Sequence, residues 1–295
     1  MAIFLALLCS LSWGAGDFFG GSAARRVHPF AVGWVSHTMV VAPIALVAVL
    51  VGADSVTRRD VGWGSVGGLL GEMALLALYA GLARGPMTIV APTTGLVAVA
   101  IPVMVGSVFQ GERPSAGQWT GIALIMIAIV TISLSPNPSG DAGPGATTGV
   151  LNGFNTLTVL LSIVAGVGFG MFYVALDWTS KDAGLWPLVF GRIASSLMLT
   201  ALIVTVPAFR RRVFSPGLRA TLPMITAAAI FDIVANIFYL LAARRGDLSI
   251  VAVLASLYPA STVVLANRFL GEPLARRQLA GMTLAVAAVA LVAAT

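Results

Sequence analysis

Two carboxylates stand where a charge is costly. Glu72 lies within "GLLGEMALLALYAGLARG" (68–85), with no other charge nearer than Arg84, and Asp232 lies within "FDIVANIFYLLAARRG" (231–246). Each sits mid-way along an apolar run, where insertion scales price a charge at about 2.5–3.5 kcal/mol. Acids kept at such positions point to function: burial disfavours the ionised form, so the group can take up and release a proton or hold a solute. The structural alternative is a carboxylate hydrogen-bonded across helices that fixes packing. The two acids are related by position, since 232 − 72 = 160, 239 − 79 = 160 for Tyr239 and Tyr79, and 244 − 84 = 160 for Arg244 and Arg84. Each tyrosine falls on the same helical face as its acid, about 10 Å along the axis. Asn236 adds a polar group four residues after Asp232, where the first copy has Leu76.

Other polar residues join these as candidates for solute binding or proton coupling. Asp17 follows Trp13-Gly14 in the first apolar run; it faces a cavity or anchors the Arg25-Arg26 end of its helix. Trp13 stacks on a substrate ring or packs as an ordinary aromatic. His37 sits inside the second run as a packing residue or a proton carrier. Arg192 is deep enough in the seventh to bind an anion or pair with a buried acid, and shallow enough to snorkel. Tyr258 precedes Pro259 at an interruption of the ninth run, and Pro92 and Pro102 are expected to interrupt the fourth; such breaks mark binding regions or hinges.

Catalytic readings find little support. Lys181 is the only lysine, so no Walker A loop exists and ATP hydrolysis is not expected. Two histidines, His28 and His37, leave no metal cluster of the usual spacing. No GxSxG context supports a serine nucleophile. The expectation is a protein that is not an enzyme and that uses no cofactor, no metal and no nucleic acid.

These side chains need elements to position them. Of 295 residues, 58% are hydrophobic and only 9% charged, with net charge +6 and mean hydropathy +0.98. A soluble domain carries about a quarter charged residues. The chain therefore reads as a multi-pass membrane protein. Windows of about 20 apolar residues fall near 2–22, 30–52, 62–83, 88–109, 116–134, 157–179, 186–207, 219–242, 249–269 and 275–294. The runs are continuous, not alternating, which argues for helices over a barrel. Residues 2–22 lack the basic flank of a cleavable signal and read as a retained helix.

"SPNPSGDAGPGATTG" (135–149) cannot continue a helix and reads as a linker. The division is a first repeat of five helices over 1–134, a Pro/Gly-rich linker over 135–155 and a second repeat over 156–295. "TIVA" (88–91) faces "SIVA" (249–252), and Gly111-Glu112 and Gly271-Glu272 are again 160 apart. An odd number of helices per repeat inverts the second copy, the architecture of secondary transporters.

The ordered set "LSWGAGDFFGGSAARR" (11–26), "YAGLARGPMTIVAP" (79–92), "GERPSAGQWTGIALI" (111–125) and "DIVANIFYLLAARRGDLSIVAVLASLYPASTVVLANRFLGEPL" (232–274) resembles the drug/metabolite transporter superfamily, in its ten-helix form built of two EamA domains. The resemblance spans nearly the whole chain. It implies an all-α membrane protein with a central cavity between inverted halves, in the cell membrane, moving a small metabolite or drug-like solute, often outward. Protons are the candidate coupling ion through Glu72 and Asp232. A passive exchanger, and a receptor or scaffold without flux, are the alternatives.

Smaller signals are read structurally. Gly16/Gly20, Gly67/Gly71, Gly117/Gly121 and Gly166/Gly170 make GxxxG packing faces. Gly111-Glu112 and Gly271-Glu272 close helices, the acid suiting the start of the helix that follows. Asp177 and Lys181 are expected to form an i,i+4 pair. Loop Lys and Arg number six on the terminus-bearing side and ten on the other, which favours external termini; the resemblance implies cytoplasmic ones, and the reading follows it.

Overall fold

A computed structural model describes residues 1–82, 87–133, 156–214, 216–270 and 276–294. Arg84, the 135–155 linker and Gly271-Glu272 lie outside the described residues. Within them the chain is helical, with no strand. The helices are α1 (Ala2–Ala24), α2 (Pro29–Val51), α3 (Arg58–Leu82), α4 (Met87–Phe109), α5 (Ala116–Ser133), α6 (Thr156–Asp177), α7 (Trp186–Thr205), α8 (Pro207–Val213), α9 (Leu218–Ala243), α10 (Leu248–Ala255), α11 (Tyr258–Leu270) and α12 (Arg276–Ala294). Eight described segments are long and apolar enough to cross a bilayer, α10 and α11 counting together as one; Thr93–Phe109 and Ala116–Thr131 are shorter apolar helices.

Local chemistry sets the boundaries. Pro29 opens α2, where its missing N–H costs nothing, and His28 Nδ1 accepts from the Phe30 amide at 3.2 Å. Thr57 and Asp60 form a reciprocal capping box at α3, and Ser115 with Gln118 does the same at α5. The ninth apolar run divides at Ser256-Leu257. Pro259 then occupies the first turn of α11, where no intrahelical donor is needed. The expected interruption of the fourth run is not found: α4 continues through Pro92 and Pro102. A helix interior loses one backbone bond at each proline, and a membrane bundle tolerates that by local adjustment without ending the helix.

The main helix packing joins the chain before the linker to the chain after it: α1 lies on α9, α3 on both α6 and α7, α4 on α6, and α5 on α12. Small residues permit this. A Cβ on Gly68 would run into the backbone of Gly191, where α3 crosses α7. Gly166 and Gly170 of α6 lie against Val97, Ile101 and the carbonyls of Thr94 and Ala98 in α4, so that glycine pair is a packing face as expected. Leu50, Val204 and Val286 face outward, as a lipid-facing surface requires.

One end of the bundle is tied by polar contacts between the halves. Glu112 departs from its expected role at the start of α5. Gly111 has φ 71° and turns the chain back; the Glu112 carboxylate then accepts from the amides of Leu248 (2.6 Å) and Ser249 (3.2 Å) and from the Ser249 hydroxyl. It thereby caps α10, satisfying orphan donors and meeting the positive helix end. Asp177 also departs from expectation. Its helix ends there, and its carboxylate accepts from Gln110 Nε2 at 2.7 Å instead of pairing along a helix with Lys181. Asp60 Oδ1 accepts from the Ser180 amide at 2.6 Å, and within the second half Arg244 donates to the Ser180 carbonyl at 3.2 Å.

Candidate functional site

Where α1, α2, α3, α6, α7 and α9 converge there is a cavity of about 770 Å3, counting the part open to the exterior. Eight of the ten sequence candidates line it: Trp13, Asp17, His37, Glu72, Arg192, Asp232, Asn236 and Tyr258. Gly64, Gly68 and Gly71 of α3 and Gly191 of α7 also border it. Two helices that lie close at glycines leave space that larger side chains would fill.

The polar groups form a chain across the cavity. Arg192 of α7 donates from its two terminal nitrogens to His37 Nε2 and to Asp232 Oδ2. Asn236 Nδ2 donates to Asp232 Oδ1 at 3.1 Å and to its own turn's Asp232 carbonyl at 2.6 Å. On the other side of the ring, His37 Nδ1 lies 2.9 Å from Ser195 Oγ and 2.6 Å from Glu72 Oε2. Neither Glu72 oxygen has a hydrogen-bond partner among the described residues. Glu72 is 0% exposed. A Cβ at Gly33 would collide with its Oε1, so glycine makes room for the acid.

Hydrogen-bond logic assigns the histidine tautomer. A guanidinium donates and never accepts, so the Nε2 facing Arg192 must be the acceptor and the proton sits on Nδ1. The Nδ1 side of the ring faces Ser195 and Glu72. Glu72, His37, Arg192 and Asp232 make one connected series from α3 to α9.

Aromatic rings also line the cavity. Trp13 stacks on Tyr173 at 5.5 Å between centroids and approaches Tyr239 at 5.7 Å, and Tyr173 stacks on Tyr239 at 4.7 Å. Tyr239 is fully buried behind these rings and does not line this cavity. It shares a helical face with Asp232, but nearly two turns along α9 that face is already covered. Tyr79 lines a smaller adjoining cavity with Trp13, Asp17 and Asp232. Gly20 leaves the space its hydroxyl occupies. Sequence reading missed Ser195 and Tyr173, because a serine or tyrosine in an apolar helix carries no signal of which helix it will face.

The family model described as the EamA-like transporter family matches residues 1–134 and 156–294. The chain belongs to that family. It is a membrane protein of a transporter family, not of an enzyme family. This EamA-like chain is also similar to a solved structure described only as the crystal structure of a protein, with TM-score 0.73, 17% identity, and coverage of 98% of this chain and 95% of that one. At that identity the likeness shows the fold alone. No curated protein sequence matches the chain.

Proposed function

We propose that this EamA-like protein is a secondary transporter that moves a small metabolite or drug-like solute across the cell membrane, outward, by alternating access. Ten spans in two inverted five-helix repeats, 1–134 and 156–295, would supply two packings that exchange which side is open. The observation that carries the reading is the connected series Glu72–His37–Arg192–Asp232 in the cavity. It links an acid from each half through groups that can change partners when a proton or solute arrives.

Proton coupling follows from the same series. Protonation of Asp232 would remove the anion that holds Arg192, and freeing Arg192 would leave the His37 Nε2 acceptor open to a proton. A change at one acid is thereby felt at the other. Glu112, Asp60 and Asp177 tie the two halves at one end of the bundle, and these contacts would have to part for that end to open.

The test begins with a metabolite screen comparing cells with and without the protein, followed by flux of the identified solute in proteoliposomes under an imposed pH gradient. Gradient-dependent flux is expected. Counterflow indifferent to the gradient would reduce the reading to passive exchange, and no flux above protein-free liposomes would end it.

A further inference from the structure

We infer that the cavity holds a subsite for the positive head of a small aromatic organic cation, formed by Asp17, Trp13 and Tyr258. The inference deepens the transport reading by naming a solute class, and rests on it for the solute's passage but not for its binding.

Charge is the first argument. Three carboxylates line the cavity, Asp17, Glu72 and Asp232, against one guanidinium, Arg192. Arg192 and Asn236 satisfy Asp232. Glu72 has the His37 ring beside it and no hydrogen bond, although it is wholly buried. Asp17 borders both cavities and has neither hydrogen bond nor ion pair among the described residues. Asp17 is thus the cavity carboxylate with no partner beside it, and a cleft with low-dielectric walls concentrates the field that results.

Geometry supplies the second argument. Trp13 is four residues before Asp17 on α1, so indole and carboxylate share a helical face about 6 Å apart at Cβ. Tyr258 heads α11, whose first turn presses on α1 at Gly14; a Cβ there would meet the Tyr258 carbonyl and Ser261. Ser261 and Thr262 hydrogen-bond to the carbonyls of Ser10 and Gly14 at 3.2 and 3.1 Å, which holds the turn in place. An aromatic face beside a carboxylate is what an ammonium head selects, since the ring quadrupole and the anion attract the same charge.

Other ligands fit less well. No group of three or more His, Cys, Asp or Glu side chains converges for a metal among the described residues. An anion would need Arg192, whose terminal nitrogens already serve His37 and Asp232.

The probe is benzyltrimethylammonium, whose charge no pH change removes. It is titrated calorimetrically into the purified protein in nanodiscs of zwitterionic lipid, with benzyl alcohol and benzoate as uncharged and anionic controls. One-to-one binding of the cation, at least tenfold tighter than either control, is expected. Asp17→Asn should weaken it tenfold or more, Asp17→Glu should keep it within about threefold, and Trp13→Leu should weaken it about fivefold. Equal binding of benzoate, no cation binding by the wild type, or undiminished binding by a folded Asp17→Asn would each overturn the subsite. If Asp17→Asn does not fold, the charge series on the wild type decides. Cation binding without solute flux would retain the subsite and remove the transport reading; flux without cation binding would do the reverse.

Discussion

Glu72 and Asp232, 160 residues apart and on α3 and α9, are connected through His37 and Arg192. Two residues from α2 and α7 span the distance between the acids. The chemistry is unequal, with an imidazole next to one acid and a guanidinium next to the other. The two acids stand 160 positions apart in sequence, but the groups beside them are not alike.

Arg192 and Asp232 should behave as one unit. Their side chains are 10% and 29% exposed, so solvent softens but does not remove the cost of leaving either alone. Arg192→Met or Asp232→Asn alone is expected to cost roughly 2 kcal/mol, below the about 3–5 kcal/mol of a fully buried pair because solvent reaches this one. The double variant should cost less than the sum by about 1 kcal/mol or more. Thermal unfolding of the purified proteins in detergent measures all three; strict additivity would show that the two side chains do not depend on one another.

Glu72→Gln removes the titrating group but keeps shape and polarity in a site where Gly33 has already made room. The variant should elute and melt like the wild type. Its flux of the identified solute should no longer respond to an imposed pH gradient. Gradient-driven flux at the wild-type rate would leave Glu72 a packing acid and place coupling elsewhere.

The bilayer made much of the fold legible. A spanning helix needs a long apolar run whatever its neighbours do, so the runs, the break before Pro259 and the acids standing out against them could be read from single residues. Partnership could not. Arg192 is within reach of either a headgroup or an acid by depth alone, and only the crossing of α3 and α7 at Gly68 and Gly191 places it between His37 and Asp232. Glu112 misled for the same reason. Its neighbours in sequence suggest α5, yet its partners are 136 and 137 residues away. Tyr239 shared the face of Asp232 but lay behind rings that no periodicity reveals.

The Glu112 cap predicts a local loss of protection. Glu112→Gln keeps one acceptor oxygen and loses the charge, so stability should fall by about 1–2 kcal/mol, as for a lost cap with a charged acceptor. Hydrogen exchange should rise first at the Leu248 and Ser249 amides and then along the short α10, with α12 unaffected. Unchanged exchange at those two amides would show that another group caps the helix.

Two glycines of α3 should respond in opposite directions to one added methyl. Gly62 has nothing within 4 Å of where its Cβ would stand, so Gly62→Ala gains helix propensity and should stabilise by about 0.5–1 kcal/mol. Gly68, six residues on, faces the backbone of Gly191, and backbone cannot rotate aside as a side chain can. Gly68→Ala must push α3 from α7 and should cost about 1–3 kcal/mol. The separation would also pull Arg192, one residue after Gly191, from Glu72's side of the cavity. Unfolding midpoints for the pair, with cation binding measured on Gly68→Ala, test this: equal shifts for the two variants would mean that the helices are not in close contact at this crossing.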